Sequence, residues 1–212
     1  MGSPIEMVYI VDDDPTVCDA LSSLLRANGK NVRMFSSGAE FLSFERRDAG
    51  ACLTLDLRMP GIDGLEVQKL ISNQASIPVI FITRRGDVPS TVRAMKGGAV
   101  DFLTKPIDET VLLAAVERAL EKDRIARFQA LEHADLLARY HSLTPREQEV
   151  LPLLASGLLN KQVAWDLGIT EYTVQIHRGN IMRKMKADSL ARLVKLPGKL
   201  NLEQSTAINR NM

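Results

Sequence analysis

The 212-residue chain has a formal net charge of +1, and 45% of its residues are hydrophobic, enough core for one large or two ordinary domains. No apolar run approaches the ~20 residues of a membrane span, and no basic-then-apolar leader opens the chain, so a cytoplasmic protein without membrane contact is expected. Its two cysteines, Cys18 and Cys52, fall in an expected helix and strand and read as buried free thiols. The small net charge conceals an asymmetry. Residues 1–121 hold 13 Lys and Arg against 17 Asp and Glu, a net of −4, and residues 122–212 hold 14 against 9, a net of +5. An acidic and a basic half imply two domains with different partners.

Residues 7–11 form a short apolar strand. Asp14-Pro15 then opens a helix, with Asp as N-cap and Pro at its first position, and Gly29 stops it. Residues 31–35 are a second strand, and Ser37 with Glu40 three places on is a capping box for a short helix. An apolar run at 51–55 leads into Asp56 and ends at Pro60-Gly61, which makes a buried third strand. Asp63 with Glu66 starts a helix carried by Leu65, Val67 and Leu70. Residues 77–83 and 87–96 are the fourth strand and helix, stopped by Gly97-Gly98, and residues 100–104 are the fifth strand, before Lys105-Pro106. Near-continuous apolar strands alternating with helices predict an α/β fold, a doubly wound five-stranded parallel sheet in the flavodoxin-like order 2-1-3-4-5.

Neither Gly nor Pro occurs from Ile107 to Thr144. The helical spacing of Val111, Leu112, Ala115, Val116 and Ala119 continues through Ile125, Phe128, Leu131, Leu136 and Tyr140, which predicts one long helix of roughly 50 Å rather than two helices broken near Lys122. Its apolar stripe is a candidate dimer seam. Thr144-Pro145-Arg146-Glu147 is a strong helix start, and further helices are expected at 160–167, from Thr170 to about 186, and at 189–196. A polar tail from 198 is expected to be mobile.

In a parallel sheet, the loops after strands one, three, four and five share one rim, which here carries Asp12, Asp13, Asp56, Thr83 and Lys105. Clustered carboxylates repel unless a cation neutralises them, and Mg²⁺ suits an oxygen site that also meets phosphate. Asp56 would act as nucleophile toward a phosphoryl group, Lys105 would neutralise its oxygens, and Thr83 would hydrogen-bond one of them.

The pieces Val11-Asp12-Asp13-Asp14, Asp56-Leu57-Arg58-Met59-Pro60-Gly61, Phe81-Ile82-Thr83 and Lys105-Pro106 resemble the receiver domain of two-component response regulators, over about residues 5–121. The resemblance implies phosphorylation of Asp56 by a histidine kinase. It implies Mg²⁺ held by Asp13, Asp56 and the backbone carbonyl of Arg58, with Asp12 acting through water. It also implies a cis Lys105-Pro106 peptide and a switch in which Thr83 and Phe102 move together. One residue departs from the pattern: Arg84 stands where the family usually has a small residue, and two outcomes are open for it, a long-lived aspartyl phosphate or hindrance of phosphorylation itself.

Leu167-Gly168-Ile169-Thr170 joins two helices at helix-turn-helix spacing. Val174, Ile181 and Met185 face inward on the second, and Thr173, Gln175, Ile176, His177, Arg178, Asn180 and Lys184 lie around the rest. Composition alone would also suit a small helical protein-binding domain. The runs Leu143–Leu151, Gly157–Ala164 and Thr173–Arg178, however, resemble the LuxR-type DNA-binding domain of the FixJ/NarL regulators. That resemblance implies base contacts from Gln175, Ile176 and Arg178, with Asn160, Lys161, Thr173, His177 and Lys184 near phosphates.

The whole layout is similar to the FixJ subgroup and to regulators of aromatic-hydrocarbon breakdown. The expected organisation is a receiver at 5–121, a helical linker at 122–142, an all-α four-helix DNA-binding domain at 143–197 and the tail at 198–212. The expected function is a non-enzymatic, phosphorylation-dependent transcription activator that binds promoter DNA as a homodimer when phosphorylated. Two alternatives are a receiver-bearing interaction module without DNA binding and a Mg²⁺-dependent phosphatase.

Overall fold

Five strands, β1 (Met7–Val11), β2 (Asn31–Phe35), β3 (Ala51–Asp56), β4 (Val79–Thr83) and β5 (Asp101–Thr104), pair in parallel in the order β2-β1-β3-β4-β5. This is the order the strand–helix alternation predicts. The computed structural model describes residues 6–46, 49–72, 77–84 and 86–188. The chain divides into two units, Met1–Arg127 and Phe128–Met212.

Period-two alternation sends successive residues of β3 to opposite faces of the sheet. Leu53 and Leu55 join Tyr9, Phe35, Phe41, Val67 and Phe81 in the core on one face. Cys52 joins Val8, Ile10, Leu21, Ile80, Leu112 and Ala115 on the other. The first core lies under α2 (Gly38–Ser43), α3 (Gly64–Ser72) and α4 (Val88–Lys96), and the second under α1 (Pro15–Ala27) and the start of α5 (Glu109–His141). Both cysteines are buried and free, as their positions imply.

The fourth strand begins two residues later than its apolar run suggests. Pro78 has no N–H for the ladder, and only its carbonyl takes part, accepting from the Leu53 amide at 2.9 Å. Ser37 caps α2 as expected, accepting from the Glu40 amide at 3.2 Å. Glu40 reaches one residue further back than a capping box requires. Its Oε2 accepts from the Ser36 amide at 2.8 Å and the Ser36 hydroxyl at 2.9 Å, because Ser36 presents both donors together.

The long helix is continuous: α5 runs 33 residues without the break considered near Lys122. Side chains of its middle turns fasten it to the sheet's amino-terminal edge. Asp123 is buried and its Oδ2 accepts from the Ala51 amide at 3.0 Å, where β3 begins, while Arg124 pairs with Glu6 at 2.7 Å.

In the second unit, the last turns of α5 pack with α6 (Pro145–Ala155), α7 (Asn160–Leu167) and α8 (Glu171–Lys184) around Leu136, Val150, Leu151, Leu154, Val163, Val174 and Ile181. The Thr144–Glu147 capping box forms, with Glu147 Oε2 accepting from the Thr144 amide at 2.8 Å. Gly168 closes α7 with φ +63°, a left-handed conformation glycine adopts without strain. The helix expected at 189–196 and the tail from 198 lie outside the described residues.

Candidate phosphoacceptor site and nucleic-acid interface

The carboxyl ends of β1, β3 and β4 and the residue after β5 converge on a cavity of about 500 Å³. Asp56 lies at its floor, 6% exposed, delivered there by the fully buried β3. The Lys105 ammonium sits between two acids, 2.6 Å from Asp12 Oδ2 and 3.1 Å from Asp56 Oδ1. The second oxygen of each acid is also engaged: Asp12 Oδ1 accepts from the Asp14 amide at 3.0 Å, and Asp56 Oδ2 from the Arg58 amide at 2.8 Å. Burial pushes the Asp56 carboxyl above its ordinary range, against the pull of Lys105 and the Arg58 amide. Burial alone would lower the Lys105 ammonium, but its bonds to Asp12 and Asp56 hold it above the usual lysine range.

The expected rim residues are together: Asp12, Asp13, Asp56, Arg58, Thr83 and Lys105 all line the cavity. Thr83 is buried at the end of β4, and its carbonyl accepts from the Lys105 amide at 2.8 Å. The Lys105-Pro106 peptide is cis, as the resemblance implies. Phe102 is half-buried, its ring 6.1 Å from that of Phe81, and a Cβ placed on Gly86 would lie 3.1 Å from Phe102 Cε1. The loop after β4 therefore rests directly on the candidate switch ring.

The donors available for a cation are all oxygens, the set a hard divalent ion takes. Among the described residues, no three His, Cys, Asp or Glu side chains gather closely enough to hold an ion by themselves. The Arg58 carbonyl and water would have to complete the shell around Asp13 and Asp56, and this is the arrangement the resemblance implies. The residues fit Mg²⁺ on those terms.

Two contacts on the rim are invisible in the sequence. Arg84, which follows Thr83, is ion-paired with Asp14, the N-cap of α1. Arg58 is 3.6 Å from Asp87, the N-cap of α4. Each guanidinium thus rests on the acid that caps a different helix.

On the second unit, α7, the turn at Gly168 and α8 form a helix-turn-helix. Val174, Ile181 and Met185 are buried, while Lys161, Gln175 and Ile176 are exposed. Thr173, His177, Arg178 and Asn180 are half-buried. Arg178 Nη1 donates to Asn160 Oδ1 at 3.4 Å, tying the outer face of α8 to the start of α7. The Thr173 hydroxyl is 2.8 Å from that of the N-cap Thr170.

Lys184 departs from expectation. Its ammonium is 2.6 Å from Glu147 Oε2, a carboxylate buried at the start of α6, and is held inward rather than offered to phosphate. The physical reason is that a buried acid leaves an unpaired charge unless a cation reaches it. Two exposed aromatics that the motifs do not include flank the turn: Trp165, 87% exposed on α7, and Tyr172 on the first turn of α8. The available signal was a large aromatic on the polar side of a short amphipathic helix.

The comparisons with known proteins cover both units. Residues 8–117 match the family "Response regulator receiver domain" and residues 141–196 match "Bacterial regulatory proteins, luxR family". The chain is 47% identical over 197 residues to Nodulation protein W of Bradyrhizobium diazoefficiens, covering 92% of this chain and 87% of that protein. The chain belongs to the response regulators with a LuxR-type DNA-binding domain. Response regulator protein TodT of Pseudomonas putida is 46% identical over 94% of this chain and 88% of its own. Among solved structures, response regulator StyR superposes with a TM-score of 0.82 at 46% identity, over 92% of this chain and 98% of that one. Receivers of this kind take their phosphoryl group from histidine kinases with the help of Mg²⁺, and LuxR-type domains bind DNA. No helix among the described residues is long and apolar enough to cross a membrane.

Proposed function

We propose that Asp56 of this response regulator accepts a phosphoryl group from a histidine kinase and that the modified receiver promotes dimerisation and promoter binding, with transcription activation as the result. The observation that carries this reading is the buried Asp56 carboxylate with Lys105 at 3.1 Å and the Arg58 amide at 2.8 Å. An Asp56 oxygen attacks phosphorus, and the bond from phosphorus to the kinase histidine nitrogen breaks. Asp13, Asp56 and the Arg58 carbonyl, with Asp12 through water, would hold Mg²⁺, which when bound supplies charge neutralisation to the phosphoryl oxygens. Lys105 then exchanges its Asp56 partner for one phosphoryl oxygen, and the Thr83 hydroxyl turns to another. Movement of Thr83 draws the loop after β4 inward, and Phe102, packed against Gly86 of that loop, follows.

In the working division, the receiver spans 5–121, the helical linker 122–142 and the DNA-binding domain 143–197. The cytoplasm is the compartment of action. Gln175, Ile176 and Arg178 meet base edges, with Asn160 orienting Arg178. Lys161, Thr173 and His177 face phosphates, and Lys184 serves the fold.

A genomic footprint of wild type against Asp56→Asn, with phosphate uptake from acetyl phosphate and light scattering on the same proteins, tests this reading. Expected are uptake by wild type alone, a larger mass on phosphorylation and footprints lost in the variant. Equal uptake by Asp56→Asn removes the acceptor assignment. A monomer in both states removes the dimer.

A further inference from the structure

The cavity over Asp56 holds a guanidinium that phosphoryl transfer itself does not require. Arg84 is 69% exposed and stands on the solvent side, whereas Asp56 lies buried at the floor. Its resting partner, Asp14, is also half committed elsewhere: Asp14 Oδ1 accepts from the Thr16 amide at 2.9 Å as the cap of α1, leaving only Oδ2 for Arg84. An ion pair this exposed, through one carboxylate oxygen, is weak and readily exchanged.

A phosphoryl group on Asp56 brings a charge of about −2 and three acceptor oxygens into the same cavity. The planar guanidinium fork matches such a group with two parallel hydrogen bonds, which Asp14 cannot offer while it caps α1. Lys105 is already shared with Asp12 and Mg²⁺, when bound, meets part of the charge, which leaves the solvent-facing side of the phosphoryl group open to a further cation.

Hydrolysis of the acyl phosphate needs a water oxygen to attack phosphorus in line, as the bond from phosphorus to the Asp56 oxygen breaks. Asp56 then recovers its carboxylate, orthophosphate leaves, and the proton passes to solvent. The in-line path lies opposite the Asp56 oxygen, towards solvent, and Arg84 stands on that side.

We infer that Arg84 is a movable clasp, resting on Asp14 in the unmodified chain and passing to the phosphoryl oxygens after phosphorylation, where it obstructs hydrolytic water and prolongs the signal. The inference rests on Asp56 being the acceptor. Asp14 is its parking place and takes no part in the phosphorylated state.

The test loads the full chain with acetyl phosphate and Mg²⁺, removes the donor rapidly and follows orthophosphate release. Arg84→Ala decays about three- to tenfold faster than wild type, the range expected for losing one charge-assisted contact, and Arg84→Lys falls between them. Asp14→Asn keeps the helix cap, since Asn caps as well as Asp, and decays no faster than wild type. As a readout independent of turnover, the Arg84 Nε resonance, assigned by its absence in Arg84→Ala, shifts when beryllofluoride and Mg²⁺ are added to wild type. Decay of Arg84→Ala at or below the wild-type rate overturns the clasp. So does decay of Asp14→Asn as fast as Arg84→Ala, which would make the pair a structural brace, or an unmoved Nε resonance. Undiminished phosphate uptake by Asp56→Asn overturns the acceptor assignment itself, and the clasp with it.

Discussion

Burial holds the Asp56 carboxyl above its ordinary range, and burial at Glu147 is outweighed by Lys184 and the Thr144 amide, which leave that carboxyl below its range. The two acids therefore respond to pH with opposite signs. A folded carboxyl raised above the unfolded value of about 4 binds its proton more tightly in the fold, so its contribution falls as pH rises through that window. A carboxyl lowered in the fold contributes stability above about 4.3 and loses it as pH falls through the folded value. Neutralising Asp56 as Asp56→Asn removes one excess negative charge while Lys105 keeps Asp12, and should stabilise the Mg²⁺-free chain at neutral pH by about 1 kcal/mol, read by urea unfolding. Lys184→Ala strands Glu147 and should cost about 1–3 kcal/mol at pH 7, a loss that shrinks in acid. A Lys184→Ala defect that stayed constant from pH 7 to below 4 would show that Glu147 is not its cause.

At the scale of elements, the site depends on how closely α3 approaches the end of β3. A Cβ on Gly64 would overlap the Asp56 carbonyl oxygen and sit 3.1 Å from Leu57 Cα, both of them backbone. Gly64→Ala must therefore displace the strand end that carries the acceptor. It should destabilise the receiver by about 2–3 kcal/mol and slow uptake from acetyl phosphate, while leaving DNA affinity of the unphosphorylated chain unchanged. Most element starts were legible in the sequence because a cap acts within three residues: Asp14-Pro15, Ser37, Asp63, Thr144 and Thr170 all mark helices that form. The rim of acids was legible too, since parallel topology alone places the strand ends together. The pairings that link distant elements were not. Arg84 finds Asp14 across 70 residues and Lys184 finds Glu147 across 37, and no local spacing encodes such a meeting. The start of β4 differs from its apolar run for another reason: Pro78 continues the run but cannot donate to the ladder.

For the molecule as a whole, charge is divided along the chain, −4 over residues 1–121 and +5 over residues 122–212, as a receiver coupled to a DNA-binding domain requires. DNA affinity should fall steeply with salt, and Lys161→Ala should reduce the slope of log K against log salt by about 1, across all sequences equally. Gln175→Ala should leave that slope unchanged and relax sequence preference instead; a changed slope would move Gln175 to the phosphate contacts. The one tryptophan of the chain, Trp165, carries a practical consequence. An indole already solvated in the fold changes its emission little on unfolding, so the stabilities above must be followed by circular dichroism. Its fluorescence reports arrivals instead. Iodide should quench it strongly in the free chain, and the quenching should fall only when a bound molecule covers that end of α7, which makes the native protein its own label-free optical reporter of occupancy there.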